Sequence, residues 1–340
     1  MKTADRATIG VVIVTFRSAD VIAECLESLF RSDYDALKIV ICENASNDET
    51  VAEIRACAQE QGRVLDERRA GAAAPASLAP LTLLHAGRNL GYAGGVNLGL
   101  EALRADSEVS LFWVLNPDCA VAADAASCYA RLAQEVGTFG LMGGRTLFQD
   151  VPQRIQSDGG RVSLWTGACS NTNQGSLPED AALPSADTID YIIGANIMAS
   201  RAFVERVGPM CEDYFLYYEE VDWALRRGDL ALVQCLEALV YHKGGTAIGT
   251  GSPDRRPSAF ANYFNYRNRL RFLARFNRAG LPISYVYSLS RIAKLVALGA
   301  WDEADGAFRG LHQLPPPRDV AARVKPDAAP LAFGRWAKQR

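Results

Sequence analysis

Thr8-Ile9-Gly10-Val11-Val12-Ile13-Val14-Thr15 is an almost wholly apolar, β-branched run, and Val21, Ile22, Cys25, Leu26, Leu29 and Phe30 follow it at helical spacing. A strand with no polar face suits a parallel sheet covered by helices on both sides. The run is too short and too β-branched for the apolar region of a signal peptide, so it reads as a first buried strand.

Outward from that run the unit repeats. Leu37 to Cys42 predicts a second strand, and Ser46-Asn47-Asp48-Glu49 has the form of a capping box opening a helix to about Glu60. Gly62 to Pro80, rich in Ala, Arg, Gly and Pro, reads as a surface loop before a short strand, Leu81 to His85. Gly91 to Gly95 leads into a helix bearing Val96, Leu100 and Leu103, and Val109 to Leu115 predicts a strand ending at Asn116-Pro117-Asp118. A helix from about Ala122 to Val136 follows. Shorter β elements come next, at Thr138 to Phe148, at Arg154 to Trp165 around a Gly159-Gly160 turn, and at Asp190 to Met198. Glu219 to Arg227 predicts a short polar helix, and Leu230 to Cys235 and Ala238 to Tyr241 the last β segments. This alternation predicts an α/β fold, Rossmann-like, with a mostly parallel twisted sheet flanked by helices and ligands at the carboxyl ends of its strands.

The 340 residues, 49% hydrophobic and 22% charged, exclude disorder, collagen-like repeats and an integral membrane bundle. They suit one large domain with an appendage or two modest ones. Eight scattered cysteines without a CxxC pair fit a reducing compartment. The net charge of −3 gives no nucleic-acid footprint over the whole chain, but it conceals a split. Between Ala259 and Ala300 stand Arg267, Arg269, Arg271, Arg275, Arg278, Arg291 and Lys294 with no acid, interleaved with aromatic residues.

Polar clusters fall where strands end. After the first comes Thr15-Phe16-Arg17, and after the second Glu43-Asn44-Ala45-Ser46-Asn47-Asp48, whose carboxylate and amides before a helix can bond a nucleobase imide and ribose hydroxyls. Helix capping alone also explains Ser46 and Asp48. In Arg88-Asn89-Leu90-Gly91-Tyr92-Ala93-Gly94-Gly95-Val96-Asn97, glycines allow close backbone approach to a ligand and Arg88 can meet phosphate, although ordinary tight turns use the same residues. Asn116-Pro117-Asp118 sets one carboxylate on a rigid turn, which suits a hard divalent cation such as Mg2+ or Mn2+, or is a plain turn. Four aromatics between Asp213 and Glu219 precede Glu219, Glu220 and Asp222 at a helix start. Asp222 with Arg226 is an ordinary helix pair, whereas a carboxylate behind aromatics can have a pKa raised for general-base work. His242 closes a strand before Lys243-Gly244-Gly245-Thr246 and is a candidate metal or phosphate contact.

In this order the segments resemble the family 2 glycosyltransferases of GT-A fold, most closely the rhamnosyltransferase-like branch, from about Ile9 to about Arg278. The resemblance rests on Val11-Val12-Ile13-Val14-Thr15-Phe16, Glu43 to Asp48, Asn89 to Asn97, Asn116-Pro117-Asp118 in place of the family's DxD, Gly194-Ala195-Asn196, Phe215 to Asp222, and His242. It implies an inverting, metal-dependent transferase using a nucleoside-diphosphate sugar, dTDP-L-rhamnose first, with UDP-galactofuranose and UDP-N-acetylglucosamine as alternatives. The acceptor it implies is a glycan or lipid-linked glycan of bacterial surface polysaccharide. Asp118 and His242 would hold the metal, and Glu220 stands where the family has its catalytic Asp, with Glu219 beside it and Asp222 a rival. Glu43 and Glu220 are each one methylene longer than the family's usual Asp. Thr15, Phe16, Arg17, Glu43, Asn44, Ser46, Asp48, Arg88, Asn89, Gly91, Tyr92, Asn97 and Asn116 would meet the donor.

These expectations divide the chain into a catalytic domain over 1–250, with its nucleotide-sugar half to about 120, a basic and aromatic helical extension over 251–314, and a loosely ordered tail over 315–340. The extension would meet an anionic membrane surface, making the protein cytoplasmic and peripheral at the inner membrane face. A silent nucleotide-sugar-binding scaffold is the rival from another class. A dehydrogenase would need GxGxxG after Thr15, and a nucleotidyltransferase a basic glycine loop there; the chain reads Phe16-Arg17-Ser18-Ala19-Asp20.

Overall fold

The computed structural model describes residues 7–71, 77–244 and 256–334. Gly245 and Thr246, residues 72–76 of the predicted surface loop, the start of the predicted extension and residues 335–340 lie outside them.

The chain runs β1 (Thr8–Thr15), α1 (Ala19–Phe30), β2 (Leu37–Glu43), α2 (Thr50–Glu60), β3 (Asp66–Arg69), β4 (Leu81–His85), α3 (Gly91–Ala105), β5 (Val109–Leu115), β6 (Cys119–Val121) and α4 (Ala125–Val136). It continues through β7 (Leu141–Phe148), β8 (Ile155–Ser157), β9 (Gly160–Val162), β10 (Cys169–Asn171), β11 (Asn196–Ser200), α5 (Arg201–Val207), α6 (Glu219–Leu225) and β12 (Leu232–His242). The C-terminal helices are α7 (Ala259–Phe276), α8 (Leu281–Ala297), α9 (Trp301–Leu311), α10 (Arg318–Ala322) and α11 (Ala329–Phe333).

One sheet runs β3-β4-β2-β1-β5-β11-β7-β12-β6, with β8 on β7. Strands β3, β4, β2, β1 and β5 are parallel, as are β7 and β12, while β11 and β6 run against their neighbours. Alternate residues of β1 feed two cores. Val12 and Val14 pack with α3, and Val11 and Ile13 with α1 and α2, which is why the strand carries no polar residue between its two threonine ends. Helix α3 lies close on β1 because Gly95 and Gly99 lack side chains: a Cβ at either would come within 2.5 or 2.6 Å of a valine methyl.

Several predicted boundaries change. The surface loop contains β3, a charged edge strand. Residues 159–160 form no hairpin, since β8 pairs with β7 while β9 pairs with β10 in a separate small sheet. The last two β segments are one strand, β12, with an irregularity between Cys235 and Leu239. The expected capping box is absent; Glu49 is the N-cap of α2 and makes no side-chain cap.

The tail is corrected over 315–334, where Val320, Val324, Ala328 and Ala332 are buried against Phe260, Tyr263 and Phe264 of α7. The four arginines of α7 all have partners within the protein. Arg267 binds the carbonyls of Ala332 and Gly334, and Arg271 those of Asp213 and Gly334. Arg269 bonds the Tyr218 hydroxyl at 3.3 Å between the rings of Tyr266 and Tyr287, and Arg275 pairs with Asp222 at 3.0 Å. These four arginines supply donors to carbonyls, a hydroxyl and a buried acid, while Arg278, Arg291 and Lys294 stay exposed.

Candidate functional site

The register pairs Thr15 with Glu43 and Ile13 with Leu115, so the segments after β1, β2 and β5 leave the sheet side by side. Among them opens a cavity of about 410 Å³ lined by Phe16, Arg17, Asn44, Asn89, Gly91, Tyr92, Asn116 and Asp118. Phe215, Leu216, Phe260, Arg323 and Val324 complete its wall, and none of these was a donor candidate from the sequence. Asn44 Oδ1 and Asn116 Oδ1, both on the cavity wall, are buried without hydrogen-bond partners, whereas Thr15 lies outside the lining. An orphaned buried acceptor costs about 1–3 kcal/mol, so two of them on one cavity wall mark where ligand atoms would complete the bonding.

The glycine loop is shaped by its neighbours. Asn89 Oδ1 accepts from the Gly91 amide at 2.9 Å, and Asn44 Nδ2 donates to the Gly91 carbonyl at 2.9 Å. Gly91 has φ +73°, and a Cβ there would lie 2.8 Å from the Phe215 carbonyl oxygen, so only glycine fits.

The other candidates are placed differently. Glu43 Oε1 accepts from the Ser46 amide at 2.5 Å, Ser46 Oγ accepts from the Arg17 amide, and Asp48 accepts from the Thr50 hydroxyl and amide. These three brace the loop after β2 and tie it to the one after β1, and they do not line the cavity. Arg88 is exposed and also outside the lining. Asn97 ties α3 to Met210 through both its amide atoms.

Strand β12 pairs with β6 so that His242 faces Cys119 in register, which brings the imidazole to Asp118. His242 Nε2 lies 3.2 Å from Asp118 Oδ1, and Nδ1 meets Gln156 Oε1 at 2.7 Å. Gln156 holds the ring by Nδ1, and Nε2 faces a carboxylate oxygen without a hydrogen-bond partner. Two converging electron-pair donors, one oriented by an amide behind it, suit a divalent cation. Cys119 completes a cluster with them, but its thiol points at the Ala195 carbonyl and burial, then Asp118, hold it protonated. Gln156 was missed in the sequence because only the pairing of β8 with β7 brings it near.

The carboxylates at the start of α6 follow a strained stretch: Phe215, Tyr217 and Tyr218 all have left-handed φ, between +65° and +76°. Strain of this kind costs about 1–3 kcal/mol per residue and persists only when overdetermined. Asn268 of α7 overdetermines it, donating to the carbonyls of Tyr214, Leu216 and Tyr217. Behind this turn Glu219 is buried, and Glu219 Oε2 and Glu220 Oε2 have no partners. Burial, then the Glu220 charge, pushes Glu219 well above the carboxylate range. Burial likewise pushes Glu220 up to about 7, against the opposing pull of the backbone amides of the helix start.

Glu220 does not line the cavity. Its carboxyl carbon would lie 3.8 Å from a methyl placed on Gly194, whose carbonyl accepts from the Tyr92 hydroxyl of the cavity wall at 2.6 Å. Asp222 points elsewhere: it is fully buried and clamped by Arg226 at 2.7 Å, Arg275 at 3.0 Å and the Tyr214 hydroxyl at 3.0 Å.

The chain is similar to several known proteins. The chain is 25% identical over 197 residues to the low-salt glycan biosynthesis hexosyltransferase Agl10 of Haloferax volcanii, a match covering 56% of this chain and 59% of that relative. It shares its fold with the mannosyltransferase PcManGT of Pyrobaculum calidifontis, solved with GDP-Man and Mn2+ (17% identity, TM-score 0.51, 91% of this chain and 87% of that one). It likewise shares the fold of residues 1–349 of S. aureus TarS, solved with UDP-GlcNAc (15% identity, TM-score 0.50, 96% and 87%). The sheet with its flanking helices is therefore the GT-A fold. Because the family model Glycosyl transferase family 2 matches residues 10–206, more than half of the chain, the protein belongs to that family.

Proposed function

We propose that the protein is an inverting glycosyltransferase that moves a sugar from a nucleoside-diphosphate donor to a hydroxyl of a glycan or lipid-linked acceptor. The observation that carries this is the combination of the Asp118–His242 couple, whose Asp118 lines the donor cavity, with a Glu220 carboxyl raised to about 7 next to Tyr92 of the same cavity wall.

Glu220 would take the acceptor hydroxyl proton as the acceptor oxygen bonds the anomeric carbon. The bond from that carbon to the diphosphate oxygen breaks on the opposite face, the nucleoside diphosphate leaves, and the configuration inverts. A base whose pKa sits near neutrality combines a useful deprotonated fraction with enough basicity. Asn44, Phe16 and Arg17 would hold the nucleoside, while Asn116 and Asp118 face the diphosphate. A divalent cation, Mn2+ or Mg2+, would be held by Asp118 and His242 and would neutralise charge on the departing diphosphate. That PcManGT was solved with Mn2+ supports such a group here.

dTDP-L-rhamnose is the donor placed first, on the resemblance of the strand-end motifs. UDP-galactofuranose and UDP-N-acetylglucosamine are the alternatives, and the GDP-Man and UDP-GlcNAc of the neighbours support the donor class. Among the described residues no helix is long and apolar enough to cross a membrane. A lipid-linked acceptor of surface polysaccharide would be met at the inner membrane face through α8. That helix buries a narrow stripe of Ser284, Ser288 and Ile292 and exposes Ile283, Val286, Leu289 and Val296 beside Arg291 and Lys294.

A thermal-shift and donor-hydrolysis panel of dTDP-, UDP- and GDP-sugars with and without Mn2+ tests the reading. A metal-dependent response to at least one donor supports it. Binding without any hydrolysis or transfer would favour the silent scaffold, and no response to any donor would overturn both.

A further inference from the structure

The segment after α10 lies against the donor cavity. Val324 is 7% exposed and packs in one apolar cluster with Phe260 and Phe215, and Arg323 and Val324 both line the cavity that Phe16, Asn44 and Asp118 enclose from the sheet side. Lys325 Nζ donates to the Ala45 carbonyl. That carbonyl belongs to the loop after β2, where Ala45 itself has a left-handed φ of +56°. Residues 318–325 thus form a strap whose base is buried and whose far end is tied to the opposite rim.

Arg17 and Arg323 are the only cations among the residues lining this cavity, while Asp118 and Asp20 bring negative charge to it. Arg17 Nε is engaged with Asn47 Oδ1 at 2.9 Å. The Arg323 guanidinium rests 5.6 Å from the Phe260 ring centroid and makes no ion pair among the described residues. A nucleoside diphosphate brings two or more negative charges into a site already holding carboxylates, so a planar cation able to bond two oxygens has a clear task there.

We infer that residues 318–325 form the outer wall of the donor site, with Arg323 a contact to the donor diphosphate and Lys325 the tether that positions it. The inference rests on the nucleoside-diphosphate reading above and adds a binding element from the far end of the chain.

The full-length chain is titrated with UDP, dTDP and GDP and with the matching nucleosides, binding being read by ligand-observed NMR. For whichever diphosphate the wild type binds, Arg323→Gln should weaken binding about tenfold or more, as loss of a charged hydrogen bond does, and change nucleoside binding less than twofold. Arg323→Lys should recover part of the loss. Lys325→Ala should weaken diphosphate and nucleoside alike, because it frees the wall rather than one charge. A merely structural role for Arg323 would lower both ligands together, which contradicts the inference. Wild-type diphosphate binding that Arg323→Gln leaves unchanged overturns the inference alone. Failure of the wild type to bind any diphosphate overturns the donor reading and the inference with it.

Discussion

His242 Nε2 and Asp118 Oδ1 stand 3.2 Å apart because β12 and β6 are paired at Cys119 and His242. Gln156, from a third strand, holds the other ring nitrogen at 2.7 Å. If this couple binds a divalent cation, Asp118→Asn and His242→Ala should each abolish measurable Mn2+ binding by titration calorimetry. Gln156→Leu, which frees the ring to turn, should weaken binding about 10- to 100-fold. Unchanged Mn2+ affinity in all three variants would remove the metal from the site.

Burial raises the pKa of Glu220, and the sign of the stability effect follows. The unfolded chain ionises this carboxyl at lower pH than the folded one, so the unfolded state binds fewer protons between the two pKa values, and stability falls as pH rises from about 4.5 to about 7. Glu220→Gln should therefore raise Tm at about pH 8, with a gain that shrinks toward pH 4.5. A Tm difference independent of pH would mean that the carboxyl is not held neutral by its surroundings.

Asp222 is expected to act on the fold. Removing a buried acid from between Arg226 and Arg275 leaves two cations without their partner, and breaking a buried pair costs about 3–5 kcal/mol. Asp222→Ala should lower Tm strongly, while the folded fraction keeps the pH profile of the wild type. A stable but inactive Asp222→Asn would make Asp222 the base.

Helix α8 sets its exposed apolar residues beside Arg291 and Lys294, and no acid occurs between Leu281 and Trp301. Flotation with anionic vesicles should exceed that with neutral ones and weaken with salt, and Val286→Glu should reduce it. Equal flotation with both vesicle types contradicts a membrane role for this face.

The sheet was legible because β1, β2 and β5 are apolar on both faces, and a pattern of that kind survives without knowledge of neighbours. Phe16, Arg17, Asn44, Asn116 and Asp118 of the cavity wall follow those strand ends directly in sequence, so finding the strands located them. What was not legible depends on distant partners. Strand β3, Asp-Glu-Arg-Arg, has no apolar period because it is an exposed edge. Gln156 reaches His242 only through strand pairing. The inward turn of Arg267, Arg271 and Asn268 was not legible, because it answers carbonyls at 213–217 and the ends of the C-terminal helices, which lie far away in sequence. The strap at 323–325 looked like a tail because its apolar residues are few, and their value comes from Phe260 and Phe264, which they cover.

The most direct test is the turnover of Glu220→Gln with the donor that the wild type hydrolyses or transfers, measured across pH beside the donor dissociation constant. Wild-type kcat/KM should rise with pH through an apparent pKa near 7. The variant should lose about 10²- to 10⁴-fold in kcat with donor affinity unchanged. Retention of wild-type turnover and pH profile by Glu220→Gln would contradict the assignment of Glu220 as the base.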